Sequence, residues 1–115
     1  KYFSMEDVIS DNSSSSHYIL GKRCVEVSKI NIENLWIKMS VNGKLAQEGS
    51  SKAISENPLL SVVQLCELLN ARAEGLKAGQ FVLAGAATPA VALEEGMEIA
   101  LEVEGLGTMS VKVEA

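Results

Sequence analysis

The chain has a single histidine, His17, and none of its serines sits in a Gly-x-Ser-x-Gly elbow, so a hydrolase triad has little to stand on. It also lacks a Gly-x-x-x-x-Gly-Lys phosphate loop, a Gly-x-Gly-x-x-Gly fingerprint opening a helix, and His/Cys spacing suited to zinc. No apolar run approaches the roughly 20 residues that span a bilayer, and the opening Lys1 to Asp7 has no apolar targeting core. The expectation is a cytoplasmic protein. A net charge of −5, from 15 acidic against 10 basic residues, supplies no patch to neutralise phosphates, which argues against nucleic-acid and anionic-membrane partners. The two cysteines, Cys24 and Cys66, are far apart, one in a strand-like stretch and one in a helical apolar pattern. They read as buried thiols rather than as a disulfide or a metal pair. No repeat recurs at a fixed period.

What is present is enough for one domain over residues 1–115, since 115 residues with 47% apolar content can build a core. Tyr18-Ile19-Leu20 and Arg23 to Ser28 read as strands. Leu35, Ile37, Met39 and Val41 alternate with polar neighbours up to Asn42-Gly43, a two-residue turn that favours positive φ, and the chain returns through Lys44-Leu45-Ala46. Asn57-Pro58 starts a helix that should run to about Glu74, with Gly75 just past its end and apolar residues placed to pack on more than one side. Gln80 to Ala84 is a continuous apolar run between Gly79 and Gly85 and reads as a short buried strand. A second hairpin follows, with Met97, Ile99, Leu101 and Val103 alternating before Gly105-Leu106-Gly107 turns into Met109, Val111 and Val113. Its alternate glutamates mark a solvated face, because no oxygen-ligand loop accompanies them. The fold class is α+β: hairpins with one main helix over about 57–75.

Two loops could carry chemistry. Asp11 to Ser16 offers a carboxylate, an amide and four hydroxyls that either hold a ligand carboxylate or form a solvated loop. Ala84-Gly85-Ala86-Ala87-Thr88-Pro89-Ala90 leaves the predicted strand through small residues, with one hydroxyl at Thr88. Small side chains let a ligand approach the backbone, and the plainer alternative is an ordinary turn stopped by Pro89.

Taken in order, several segments resemble the C-terminal part of the fumarylacetoacetate hydrolase superfamily, in its branch of 2-keto-4-pentenoate hydratases and 4-oxalocrotonate (2-oxo-3-hexenedioate) decarboxylases. They are Asp7 to Ser15 with Tyr18 to Gly21, then Val41-Asn42-Gly43-Lys44, Asn57-Pro58-Leu59 through Leu69, Gly75 through Gly85, Gly96-Met97, and Gly105-Leu106-Gly107-Thr108. The resemblance covers nearly the whole chain and implies a mixed β-roll with a packed helix. It implies a lyase of aromatic breakdown acting on small 2-oxo-enoic or 2-oxo-enedioic acids, homo-oligomeric, with Mg²⁺ or Mn²⁺ chelated by the substrate's carboxylate and 2-oxo group. A hard divalent cation suits both reactions because each builds negative charge on the 2-oxygen.

By position, the resemblance makes Ser13 and Ser14 substrate contacts in a loop shaped by Asp11 and Asn12, and Thr88 with the Gly85 and Ala86 backbone a second substrate-contacting loop. Ala86 stands where hydratases commonly carry serine, which tilts the reading towards a decarboxylase. Glu48-Gly49-Ser50-Ser51 also departs from the family's small Gly/Ala stretch. The family's metal-binding carboxylates and catalytic lysine have no counterpart here and are expected upstream. The chain is therefore expected to be the C-terminal portion of a longer enzyme, binding no metal and inactive by itself. The alternative is a non-catalytic binding or assembly module of the same fold. An acyl hydrolase of the wider superfamily is disfavoured, because its His-Glu pairing is missing.

Overall fold

A computed structural model describes residues 17–114. Four strands, β1 (Trp36–Val41), β2 (Lys44–Ser50), β3 (Glu98–Val103) and β4 (Gly107–Lys112), form one sheet in the order β2-β1-β3-β4, and every pairing is antiparallel. Among the described residues one α-helix, α1 (Pro58–Asn70), lies between the two hairpins in sequence. This is the α+β architecture expected.

The first hairpin turns where Asn42 and Gly43 take φ of 51° and 82°, the two positive values that a two-residue turn needs to follow the strand twist. Asn42 also ties the hairpin to β3: its N–H donates to the Glu98 carbonyl at 2.9 Å, and its side-chain oxygen accepts from the Glu98 N–H at 3.0 Å. Met39 faces Gln47 and Ser40 faces Leu45, so Ala46 is the extra residue of a bulge. The second hairpin closes through Gly105 at φ 77°, with the Leu106 N–H on the Val103 carbonyl at 3.0 Å. Ile37, Met39 and Val41 face Val103, Leu101 and Ile99, which face Gly107, Met109 and Val111, so one face of the sheet is apolar. Every side chain on that face is only half-buried.

The most enclosed part of the described molecule lies at the end of β2. Ser51 is 2% exposed and Leu35 8%. The Ser51 hydroxyl accepts from the Leu35 N–H at 2.8 Å and donates to the Ile32 carbonyl at 2.7 Å, while the Ser51 N–H reaches the Leu35 carbonyl at 2.8 Å. Beside it the Ser50 hydroxyl donates to the Asn34 side chain at 2.7 Å and accepts from the Lys52 N–H at 3.1 Å. These two serines pin the chain before β1 to the chain after β2.

Helix α1 starts as expected, with Pro58 in its first turn and the Asn57 side chain accepting from the Leu59 N–H at 2.9 Å. Its end needs correction. The helix stops at Asn70, the Glu74 N–H bonds back to the Leu69 carbonyl at 2.8 Å, and the Ala73 N–H bonds to Asn70 at 3.0 Å. Ala73, at φ 57°, occupies the left-handed position that glycine usually fills, so the signal at Gly75 is read two residues too late. The packing expectation also fails, because Ser61, Val62, Leu65 and Leu69 are half-buried on one side while Leu59, Leu60, Val63 and Leu68 stay exposed. A broad apolar helix indicates what must be covered and not what covers it.

Four further expectations are overturned. Arg23 to Ser28 is not a strand; a 3-10 turn spans Val27–Lys29. Tyr18 to Leu20 pairs with no described strand, and Cys24 and Cys66 are both exposed thiols. Gln80 to Ala84 forms no sheet, and Phe81 and Leu83 are 67% and 68% exposed. Exposure alternates from Phe81 to Ala84, but from Phe81 to Leu93 the backbone makes no hydrogen bond to another described residue. No described helix is long and apolar enough to cross a membrane.

Candidate functional site

Of the residues singled out in the sequence, Asp11, Asn12, Ser13 and Ser14 lie outside the described residues. Gly85, Ala86 and Thr88 are described, and the loop that carries them rests against the apolar side of the sheet at β2. The contact is made through glycines. Gly49 faces Ile37 across the β1–β2 pair, and a Cβ there would sit 2.7 Å from the Ala87 carbonyl oxygen and 3.5 Å from Thr88 Cγ2. A separation of 2.7 Å is too short for any carbon, so only glycine lets the loop settle on the strand. At the other end of the loop Gly85 has φ 137°, and a Cβ added to it would meet Ile54 Cγ2 at 3.1 Å. Gly85 is thus required by conformation as well as by space.

This arrangement half-buries Ala87 and Thr88 and leaves Gly85 and Ala86 on the surface. The N–H groups of Gly85 and Ala86 and the Thr88 hydroxyl make no hydrogen bond to another described residue. Two small residues with free backbone donors next to one hydroxyl are suited to accepting a carboxylate or carbonyl oxygen. They offer no group that moves a proton near neutral pH.

Sequence reasoning missed the two supports of this loop. Gly49 enters the sequence reading only within a departure from the family's stretch, although a glycine inside a strand is a standard mark of close backbone approach. Ile54 carried no signal. It leads directly into Ser55 and Glu56, both non-glycine residues at positive φ, 49° and 64°, immediately before the helix cap. The Ser61 hydroxyl donates to Ser55 Oγ at 3.0 Å and helps hold that turn.

Trp36, Lys38, Glu102 and Glu104 line a hollow of about 240 Å³ on the polar face of the sheet. Lys38 faces Glu102 directly, and the Trp36 N–H donates to Glu104 Oε2 at 3.4 Å, an arrangement that fits the solvated face expected from the alternate glutamates. Among the described residues no group of three or more His, Cys, Asp or Glu side chains could hold a metal ion.

The sheet, the helix and the glycine-seated loop define an α+β unit of a known kind. Residues 1–114 match the model of the fumarylacetoacetate (FAA) hydrolase C-terminal family, and the chain belongs to that family. It is 40% identical over 108 residues to a 4-oxalocrotonate decarboxylase from a Pseudomonas species, a match covering 94% of this chain and 41% of the relative. It is 31% identical over 104 residues to 2-keto-4-pentenoate hydratase 1 of Dechloromonas aromatica (strain RCB), covering 90% of this chain and 40% of that protein. Among solved structures it superposes with a TM-score of 0.88 and 34% identity on 4-oxalocrotonate decarboxylase from Pseudomonas putida G7 complexed with calcium and acetate, over 92% of this chain and 41% of that one. The same enzyme complexed with magnesium and adipate superposes equally well, with a TM-score of 0.88. The chain spans about two fifths of the length of the curated relatives it matches.

Proposed function

We propose that this chain supplies a substrate-contacting wall of a lyase that acts on 2-oxo-enoic or 2-oxo-enedioic acids of aromatic breakdown, with decarboxylation of 4-oxalocrotonate favoured over hydration of 2-keto-4-pentenoate. The observation that carries the reading is the likeness to a 4-oxalocrotonate decarboxylase complexed with magnesium and adipate, at a TM-score of 0.88 and 34% identity. Adipate is a six-carbon dicarboxylate and so has the length of a 2-oxo-hexenedioate. Ala86, where hydratases of the family resemblance carry serine, supports the same choice.

In this reading Thr88 and the N–H groups of Gly85 and Ala86 bind and orient one oxygen-bearing end of the substrate. Asp11, Asn12, Ser13 and Ser14 form a second contacting loop. Such groups accelerate the reaction by holding the acid in one geometry. The Mg²⁺ or Mn²⁺ and the groups that move protons belong to polypeptide outside residues 17–114. The proposal takes the whole enzyme as a cytoplasmic homo-oligomer whose partner is a small 2-oxo acid, in keeping with a net charge of −5 that attracts neither nucleic acid nor anionic membrane.

The test is a coupled assay of the complete enzyme with Mg²⁺ that compares CO₂ release with water addition on one set of 2-oxo acids. CO₂ release from a 2-oxo-enedioate should dominate. Thr88→Val should lower kcat/KM about tenfold, the worth of one hydrogen bond to substrate. The 115-residue chain alone should turn over neither substrate, and no lyase activity in the complete enzyme would refute the assignment.

A further inference from the structure

The loop from Ala84 to Ala90 is held by packing rather than by backbone hydrogen bonds, since from Phe81 to Leu93 the backbone makes none to another described residue. Two of its contacts are close: Ala87 against Gly49, and Gly85 against Ile54. The first seats the middle of the loop on the sheet, whereas the second meets the residue whose N–H, with that of Ala86, is open to an incoming oxygen. Ile54 is itself firmly placed. Its N–H donates to the Ser51 carbonyl at 2.9 Å, closing the 3-10 turn Ser51–Ala53, and Ser51 is 2% exposed. On the other side Ser55 and Glu56 both take left-handed φ, 49° and 64°, with the Ser61 hydroxyl on Ser55 Oγ at 3.0 Å. Non-glycine residues keep that conformation only where the surrounding structure fixes the course of the chain.

Half-buried between these two anchors, Ile54 turns the branch at its Cβ to the loop: a Cβ built on Gly85 would meet Cγ2 at 3.1 Å and Cγ1 only at 4.0 Å. We infer that Ile54 is a positioning residue, whose Cγ2 methyl is the stop against which Gly85 rests and which sets where the Gly85 and Ala86 N–H groups meet the substrate's oxygen. It touches no substrate itself. The role rests on the reading of this loop as a substrate wall. It belongs to the methyl at the branch and not to the bulk of the side chain, because Cγ2 is the atom nearest to Gly85.

Shape and bulk can be separated at this position. Ile54→Ala removes the branch, Ile54→Val restores both carbons at Cβ, and Ile54→Leu restores the full carbon count but moves the branch out to Cγ. The complete enzyme with Mg²⁺ is the sample, and the readouts are KM and kcat for a 2-oxo-enedioate and the dissociation constant of adipate, the dicarboxylate held in the related decarboxylase structure. Ile54→Ala and Ile54→Leu should each raise KM and the adipate constant about tenfold, the worth of one hydrogen bond. Their kcat should stay within about twofold, because the lost binding is common to bound substrate and transition state. Ile54→Val should rescue both constants to within about twofold of the parent. A merely structural role gives the opposite order, with Ile54→Leu, closest to the parent in volume, harmed no more than Ile54→Val. Urea unfolding confirms that the compared variants are folded, and either of Ile54→Ala and Ile54→Leu suffices should the other not fold. Thr88→Val separates the two ways of failing. If it alters neither kcat/KM nor adipate binding, the loop does not contact substrate and both readings fall. If it weakens them while Ile54→Leu or Ile54→Ala matches Ile54→Val, the substrate wall stands and the role of Ile54 is overturned.

Discussion

The four-stranded sheet and the stretch from α1 to Leu93 both carry alternating or striped apolar residues, but they complete their interactions in opposite ways. In the sheet, each strand is paired along its length, the turn at Asn42 is tied to Glu98, and Ser50 and Ser51 clip the approach to β1. In the second region α1 keeps Leu60, Val63 and Leu68 on the surface, and the backbone after Gln80 has no described partner. Local pairing closes the first region, whereas the second keeps apolar side chains exposed and backbone without a described partner. The candidate loop sits at the seam, rooted by Gly49 in the closed region and continuing the open one.

The sharpest way to break this contrast is at Ser51. Ser51→Ala leaves the Leu35 N–H and the Ile32 carbonyl without their partner in the most enclosed spot of the described chain, and should cost on the order of 3 kcal/mol. Urea unfolding followed through Trp36, the sole tryptophan and the neighbour of Leu35, measures the loss. Next in size is Gly49→Ala, which forces the Ala87 carbonyl off β2 at a cost of about 2 kcal/mol. Amide chemical shifts of Ala87 and Thr88 should move further than those of β3, which shows that the seam and not the sheet has shifted. Smallest is Leu68→Ser in the chain alone, expected within about 0.5 kcal/mol of the parent in the same unfolding experiment, because the side chain is 67% exposed. A large loss there would show that the second region is closed by the chain's own residues.

Legibility followed the same division. Both hairpins and the helix start were readable because their causes are local: Asn42-Gly43 takes positive φ, and Asn57-Pro58 caps and opens a helix wherever they occur. The helix end was misread because Ala73 accepts a conformation that propensity assigns to glycine. The thiols and Gln80 to Ala84 were misread for a different reason. Apolar composition does not by itself give burial, which depends on a second surface. Of the candidate site, Gly85, Ala86 and Thr88 were legible as a loop of small residues. Its seat on Gly49 and Ile54 was not, because those contacts join residues distant in sequence.

The amino-acid sequence alone determined where this chain turns, where its helix begins and which face of each strand is apolar, since those outcomes depend on φ preferences, capping and a period of two. Tertiary structure decided that Ser51 is structural, that Gly49 anchors the 84–90 loop, and that Phe81 and Leu83 face outward. Each of these depends on which surfaces meet, and a strand-like segment becomes a strand only when another backbone lies within hydrogen-bonding distance.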